Sequence, residues 1–269
     1  MKKPKRVVIK IGTNVICKPD GSVNNSVMER LVQQIAAIKK QKIDVAIVSS
    51  GAVGFGRDAF HCAENVKKCD IEKQEPILQK QFFSAIGQVK LMEKYFSLFL
   101  QQNFFCAQVL LTKIDFSKEH LPHLRACLEN LLANHVVPIL NENDPVTIEQ
   151  LLLVPAFAEN DELAGRVAQL IGADWVVILT VVDGIFNGDP ESPKAKLLRE
   201  ISPEQDLQEF VNEKKSILGR GGIGVKISVA QNLAEQGIET FVIGGTDPAN
   251  LEKIFAGESV GTHFLARKA

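Results

Sequence analysis

Six short runs of β-branched and apolar residues recur along the 269-residue chain, separated by longer stretches with helical periodicity. The runs are RVVIKIG (6–12), DVAIVSSG (44–51), CAQVLLT (106–112), VVPILNEND (136–144), WVVILTVVDGIF (175–186) and TFVIGG (240–245). Their near-continuous apolar character is that of strands buried on both faces, which occur almost only in parallel sheets covered by helices. Helical spacing is expected over 25–42, 78–102, 118–135, 161–172, 205–218, 223–237 and 248–256, with Val27, Leu31, Ile35 and Ile38 marking one packed face. Strand–helix alternation of this kind predicts an α/β fold in three layers, helices on both sides of a mainly parallel sheet. No linker-like composition divides the chain. The segment 187–196, NGDPESPKAK, reads as a hairpin or flap over the sheet edge.

Composition narrows the class. Hydrophobic residues make up 45% and charged residues 23%, the balance of a soluble globular protein. A net charge of −1 offers no attraction to nucleic acid or an anionic membrane. MKKPKR is basic, but Lys10 interrupts the short apolar run after it, so a secretory leader is not expected. Five cysteines without a CxxC spacing read as reduced thiols of a cytoplasmic protein. His61, Cys62 and Cys69 lack a fourth ligand at metal spacing, so no metal site is expected.

In an open parallel sheet, ligands sit at the carboxyl ends of the strands. The first run carries Lys10 and stops at Gly12-Thr13; a lysine there either meets an anion or faces water from an edge strand. The second run stops at SSGAVGFG (49–56), a turn whose small residues and free N–H groups suit an anion or simply a tight strand-to-helix turn. Asn141, Glu142, Asn143 and Asp144 follow the fourth run, and Asn160-Asp161 opens the helical stretch after it. Either cluster can be turn or cap chemistry; both lie where strands or helices end.

GRGGIGVK (219–226) satisfies G-x-G-x-x-G, but a dinucleotide fingerprint must follow a strand, and DLQEFVNEKKSILG before it reads as helix. Val225 breaks the contiguous GK[ST] of a Walker loop. What remains is a glycine loop at a helix start with Lys226 one turn in, a geometry suited to phosphate oxygens.

In this order, VVIKIGTNVI (7–16), VSSGAVGFGR (48–57), AIGQVKLMEKYF (85–96), NENDPV (141–146), END-LA (159–164), the DG and DP of 183–190, GRGGIGVK and SVGTHF (259–264) resemble the amino acid kinase family. SSGA with NEND points to its glutamate 5-kinase branch. The resemblance implies a single kinase domain over 1–269, with an amino-acid lobe to residue 170 and a nucleotide lobe from 171. It implies ATP- and Mg²⁺-dependent phosphorylation of the γ-carboxylate of L-glutamate, the first step of proline biosynthesis, with L-proline as feedback inhibitor. Carried over by position, Lys10, Lys226 and Asp161 are catalytic, the aspartate orienting the lysines. Ser50, Gly51, Ala52, Asp144 and Asn160 bind glutamate. Lys10, Gly12, Thr180, Val181, Arg220, Gly221, Gly222, Ile223, Gly224, Val225 and Lys226 hold the nucleotide.

Four departures stand out. Val181 replaces a common aspartate, Glu159 precedes the Asn-Asp pair, and the 145–159 segment is longer and more apolar, which bears on proline sensing. With the sequence running to Ala269, a C-terminal RNA-binding-like PUA domain is not expected. The apolar stretch 81–100 suggests a subunit interface of a dimer or tetramer, or equally a core helix. Rival readings are a kinase of another carboxylate or phosphate, a silent amino-acid-binding regulator, and a nicotinamide enzyme.

Overall fold

Alternate residues of the first strand enter two separate hydrophobic clusters, and this division defines the architecture. Val7, Ile9 and Ile11 belong to one cluster, Val8 to the other. The computed structural model describes residues 3–63, 70–147, 160–205, 207 and 223–267. Its eight strands are β1 (Arg6–Ile11), β2 (Asp44–Ser49), β3 (Cys106–Leu111), β4 (Val137–Glu142), β5 (Trp175–Thr180), β6 (Glu200–Ile201), β7 (Glu239–Gly244) and β8 (Thr262–Phe264). They form one sheet in the order β3-β4-β2-β1-β5-β7-β8-β6. All ladders are parallel except β7 with β8, so an antiparallel edge closes an otherwise parallel sheet.

The described α-helices are α1 (Thr13–Ile16), α2 (Asn25–Lys40), α3 (Ala52–Cys62), α4 (Pro76–Gln101), α5 (Leu121–Ala133), α6 (Asn160–Ile171), α7 (Ile223–Glu235) and α8 (Ala249–Phe255). Leu31 and Ile35 of α2, Leu91 and Tyr95 of α4, and Leu251 and Ile254 of α8 pack on the odd-numbered face of β1. Leu124 and Leu128 of α5, Leu163 and Val167 of α6, and Ile227 and Leu233 of α7 pack on the other. The expected three-layer α/β/α sandwich is the observed one. No described helix is long and apolar enough to cross a membrane.

Several expectations change. The fifth run is strand only to Thr180. Asp183-Gly184 then turns the chain, and Phe186 bridges antiparallel to Leu197. Asn187 and Lys196 close the 187–196 loop through the Asn187 N–H and the Lys196 carbonyl at 3.0 Å, as a flap would require. Helix α3 was not expected, because three glycines in AVGFGR and before it argue against helix on propensity. Packing overrides propensity here: a Cβ at Gly56 would lie 1.8 Å from the Phe83 carbonyl oxygen, and one at Gly87 1.7 Å from that of Ala52. The bare backbones of α3 and α4 therefore touch. The short strands β6 and β8 escape periodicity altogether. The helix expected over 205–218 lies outside the described residues, apart from 205 and 207.

Because β1 pairs with both β2 and β5, Lys10 is on a central strand, opposite Val48 and Ile178. The edge-strand reading of Lys10 is excluded. From β1 the chain builds outward on one side through β2, β4 and β3, and on the other through β5, β7 and β8. The carboxyl ends of β1 and β5 thus flank the switch point where open α/β sheets bind ligands.

Candidate active site

Lys10 shares the face of β1 that carries Val8, so its side chain runs toward α6. There Asp161, 0% exposed, lies in the first turn of the helix. Lys10 Nζ meets Asp161 Oδ1 at 2.8 Å, and Lys226 Nζ, from the first turn of α7, meets Oδ2 at 3.0 Å. Burial alone pushes the Asp161 carboxyl pKa up, but the ammonium groups of Lys10 and Lys226 outweigh it and hold the group below the ordinary carboxylate value. One buried carboxylate thus holds two ammonium groups, from β1 and α7, at the carboxyl end of the sheet.

Beside this cluster is a polar pocket wall. Ser50 follows β2, and its N–H is held by the Ile11 carbonyl at 3.0 Å. Gly51 caps α3 with φ +107°, and a Cβ there would come 2.8 Å from Ile16 Cδ1, so the turn is fixed as glycine. Ala52 opens α3 and is buried. Asn160 Nδ2 donates to Ser50 Oγ at 2.8 Å and to Asn141 Oδ1 at 3.0 Å. Asn141 Nδ2 in turn donates to Gln88 Oε1 at 3.0 Å. Asn160 Oδ1 is buried without a hydrogen-bond partner. Asp144 is engaged by Lys80, 2.8 Å from its Oδ1.

The structure therefore brings Lys10, Lys226 and Asp161 together, and joins Ser50 to Asn160 at the end of the neighbouring strand. Gly12 ties β1 to β5 by donating its N–H to the Leu179 carbonyl at 3.2 Å. Thr180 ends β5, its carbonyl accepting from Gly245 N–H at 2.7 Å, and Val181 beyond it is 48% exposed. Ile223, Gly224 and Val225 form the first turn of α7 before Lys226. Arg220, Gly221 and Gly222 lie outside the described residues, as do Glu159 and Cys69. Among the described cysteines, Cys17 and Cys106 are buried, Cys62 and Cys127 are exposed, and all four are free. No group of three metal-ligating side chains occurs among the described residues.

Two members of the wall, Asn141 and Gln88, were not among the expected site residues. Asn141 stood in the NEND cluster as a turn residue. Gln88 had a signal of its own, a lone glutamine on the buried face of a long helix with Ser84, Leu91 and Tyr95.

Comparison with known proteins identifies the family. The model of the amino acid kinase family matches residues 5–244. Glutamate 5-kinase of Symbiobacterium thermophilum is 38% identical over 265 residues, covering 97% of this chain and 95% of its own. That of Clostridium perfringens is 35% identical over 275 residues, covering 100% and 98%. That of Bacteroides thetaiotaomicron is 36% identical over 241 residues, and the match spans 89% of this chain but 64% of that longer protein. Among solved structures, UMP kinase of Bacillus anthracis superposes with a TM-score of 0.67 at 18% identity, covering 99% of this chain and 98% of that one. The isopentenyl phosphate kinase of T. acidophilum gives 0.65 at 17%, covering 96% and 99%. At such identity these two report the fold alone. The chain belongs to the amino acid kinase family and, within it, to the glutamate 5-kinases.

Proposed function

We propose that this chain transfers the γ-phosphoryl group of ATP to the γ-carboxylate of L-glutamate, forming γ-glutamyl phosphate and ADP. The observation that carries the reading is Asp161, buried and clamped between Lys10 and Lys226 at the switch point of the sheet. The glutamate side chain, with an ordinary pKa of about 4.3, is already a carboxylate at neutral pH and needs no general base. A carboxylate oxygen forms a bond to the γ-phosphorus as the bond to the β,γ-bridging oxygen breaks, and ADP leaves with that electron pair. The protein's task is alignment and charge stabilisation. Lys10 from β1 and Lys226 from α7 supply positive charge from two elements, and Asp161 fixes both ammonium groups in place.

Mg²⁺ prefers phosphate oxygens and water to protein ligands, so it would arrive on the ATP and neutralise developing phosphate charge. The two ammonium groups at the switch point suit such an anion. In this reading the lobe to residue 170 holds glutamate through Ser50, Gly51, Ala52, Asp144 and Asn160. The lobe from 171 holds the nucleotide through Thr180, Val181 and the 220–226 loop, with Gly12 and Lys10 at the junction. Asp144 would exchange Lys80 for the substrate ammonium. Inhibition by L-proline, a cytoplasmic location and self-association belong to the same reading. The last is supported by a row of exposed apolar residues on α4, Val89, Phe96 and Leu100, continued by Phe105 at the edge of the sheet.

The test is incubation with ATP, Mg²⁺, L-glutamate and hydroxylamine, which traps an acyl phosphate as hydroxamate. Aspartate, N-acetylglutamate and UMP serve as parallel acceptors. Hydroxamate from glutamate alone is expected. Turnover of another acceptor in its place would overturn the specificity, and silence across the panel would turn the reading toward a binding protein.

A further inference from the structure

The pocket wall contains a chain of three amides whose polarity is set by a group that cannot turn round. The backbone N–H of Glu142 donates to Asn141 Oδ1 at 2.9 Å. An amide oxygen, not an amide nitrogen, must therefore occupy that position, whatever the assignment of the side-chain atoms. Two consequences propagate from it. Asn160 must present Nδ2 to the same oxygen, which leaves Asn160 Oδ1 facing away as an acceptor. Asn141 must direct its own Nδ2 to the other side, where Gln88 Oε1 receives it. Ser50 Oγ already accepts a hydrogen bond from Asn160 Nδ2, so its hydroxyl hydrogen is left to donate elsewhere.

Gln88 closes this chain. It stands on α4, and both it and Asn141 are buried, 7% and 2% exposed. With Gln88 in place, both ends of the Asn141 amide are satisfied and rotation gains nothing. Without it, the Asn141 NH₂ becomes a buried orphan, and nothing on that side holds the amide in its place. A displaced Asn141 oxygen loosens its hold on Asn160 Nδ2 and, through Asn160, on Ser50. The far end of Gln88, Nε2, is buried and has no partner, as is Asn160 Oδ1. The chain thus ends in one unspent donor and one unspent acceptor.

We propose that Gln88 is a specificity-determining positioning residue. Through Asn141 it holds Asn160 as an acceptor and Ser50 as a donor, a polarity matched to a ligand that carries an ammonium donor beside a carboxylate. This rests on the reading of the site as the seat of an amino acid. Glutarate, which has the carboxylates of glutamate without its amine, is the ligand this polarity excludes.

The experiment compares the whole chain with Gln88→Met and Gln88→Glu in ATP-dependent hydroxamate formation from L-glutamate and from glutarate. Methionine fills the volume and accepts no amide proton, whereas a glutamate side chain still accepts from Asn141 Nδ2. Gln88→Met is expected to raise KM for L-glutamate about tenfold while KM for ATP stays within about twofold, and to reduce the preference for glutamate over glutarate. Gln88→Glu is expected to recover most of both. Unchanged constants in Gln88→Met would overturn the proposal. So would equal loss in both variants, which would make the Gln88 N–H the group that matters. Should Gln88→Met fail to fold, Gln88→Asn shortens the stem by one carbon and is expected to give the same split. Lack of glutamate turnover by the unaltered protein would instead overturn the functional reading itself.

Discussion

The two ends of the central strand both carry ionic clusters, and they are built to opposite purposes. At the amino end, Arg6 donates to Glu129 Oε1 at 2.8 Å and Oε2 at 3.1 Å, to Asp44 Oδ2 at 3.2 Å, and to the Ile171 carbonyl. Asp174 accepts the backbone N–H groups of Lys5 and Arg6 at 2.7 and 2.9 Å. One guanidinium thus ties β1 to β2, α5 and α6, with acceptors in excess and water within reach. At the carboxyl end, Asp161 is fully buried and engages two ammonium groups, those of Lys10 and Lys226. The first cluster gathers carboxylates round one guanidinium and joins elements of the fold. The second gathers ammonium groups round one carboxylate at the switch point, where open α/β sheets bind ligands.

Three substitutions sharpen or break the contrast. Removing one cation of the upper cluster has the largest expected effect: Lys226→Met should lower kcat by about 10²–10³. Asp161 would keep Lys10, so the melting temperature should move little. A variant with normal kcat would remove Lys226 from the mechanism. The lower cluster should answer in the opposite way. Its pairs are partly exposed, so Arg6→Met should cost about 1 kcal/mol, a fall in Tm of about 2–4 °C, with kcat unaltered. A loss of kcat in Arg6→Met at unchanged Tm would erase the distinction between the two ends.

The smallest effect concerns a third pair at the lower end, His263 Nε2 to Glu239 Oε2 at 3.2 Å, where Glu239 opens β7 and His263 stacks on Phe241. Burial lowers the His263 pKa more than Glu239 raises it. The unfolded chain therefore takes up this proton at a higher pH than the folded one. Stability from this group is complete above the unfolded value of about 6.5 and declines as pH falls through it. A thermal melt series from pH 7.5 to pH 5.5 should show a shallow decline that His263→Gln flattens; an equal slope in both proteins would assign the decline to other groups.

How much of this was legible beforehand follows from which physics governs each part. Six strands and most helices could be read because the hydrophobic period is a property of the chain itself. Lys10 was conspicuous as a charge within an apolar run, but whether it met an anion or water depended on the neighbours of β1, which periodicity does not contain. Asp161 and Lys226 could be singled out by residue type and by resemblance; their meeting is a product of the α6 and α7 packing. Helix α3 was hidden because its glycines serve contact with α4, and contact is not local information. Gln88 was overlooked for the same reason: its partner Asn141, and Asn160 beyond it, come from a strand and a helix far along the chain. The lengths of β6 and β8 gave too few residues for any period to register.

The central position of β1 has a consequence for how the molecule comes into being. During synthesis β1 can pair with β2 once Asp44–Ser49 have emerged, but its other edge waits for Trp175–Thr180. Throughout that interval one row of its backbone N–H and C=O groups stays open, the condition under which strands pair wrongly. Contacts so distant in sequence also slow folding, since loop closure precedes the pairing that rewards it. Lys10 therefore leaves the ribosome well before the Asp161–Lys226 pair that completes its surroundings. A nascent chain holds one member of this three-residue charge cluster long before it can hold the reaction.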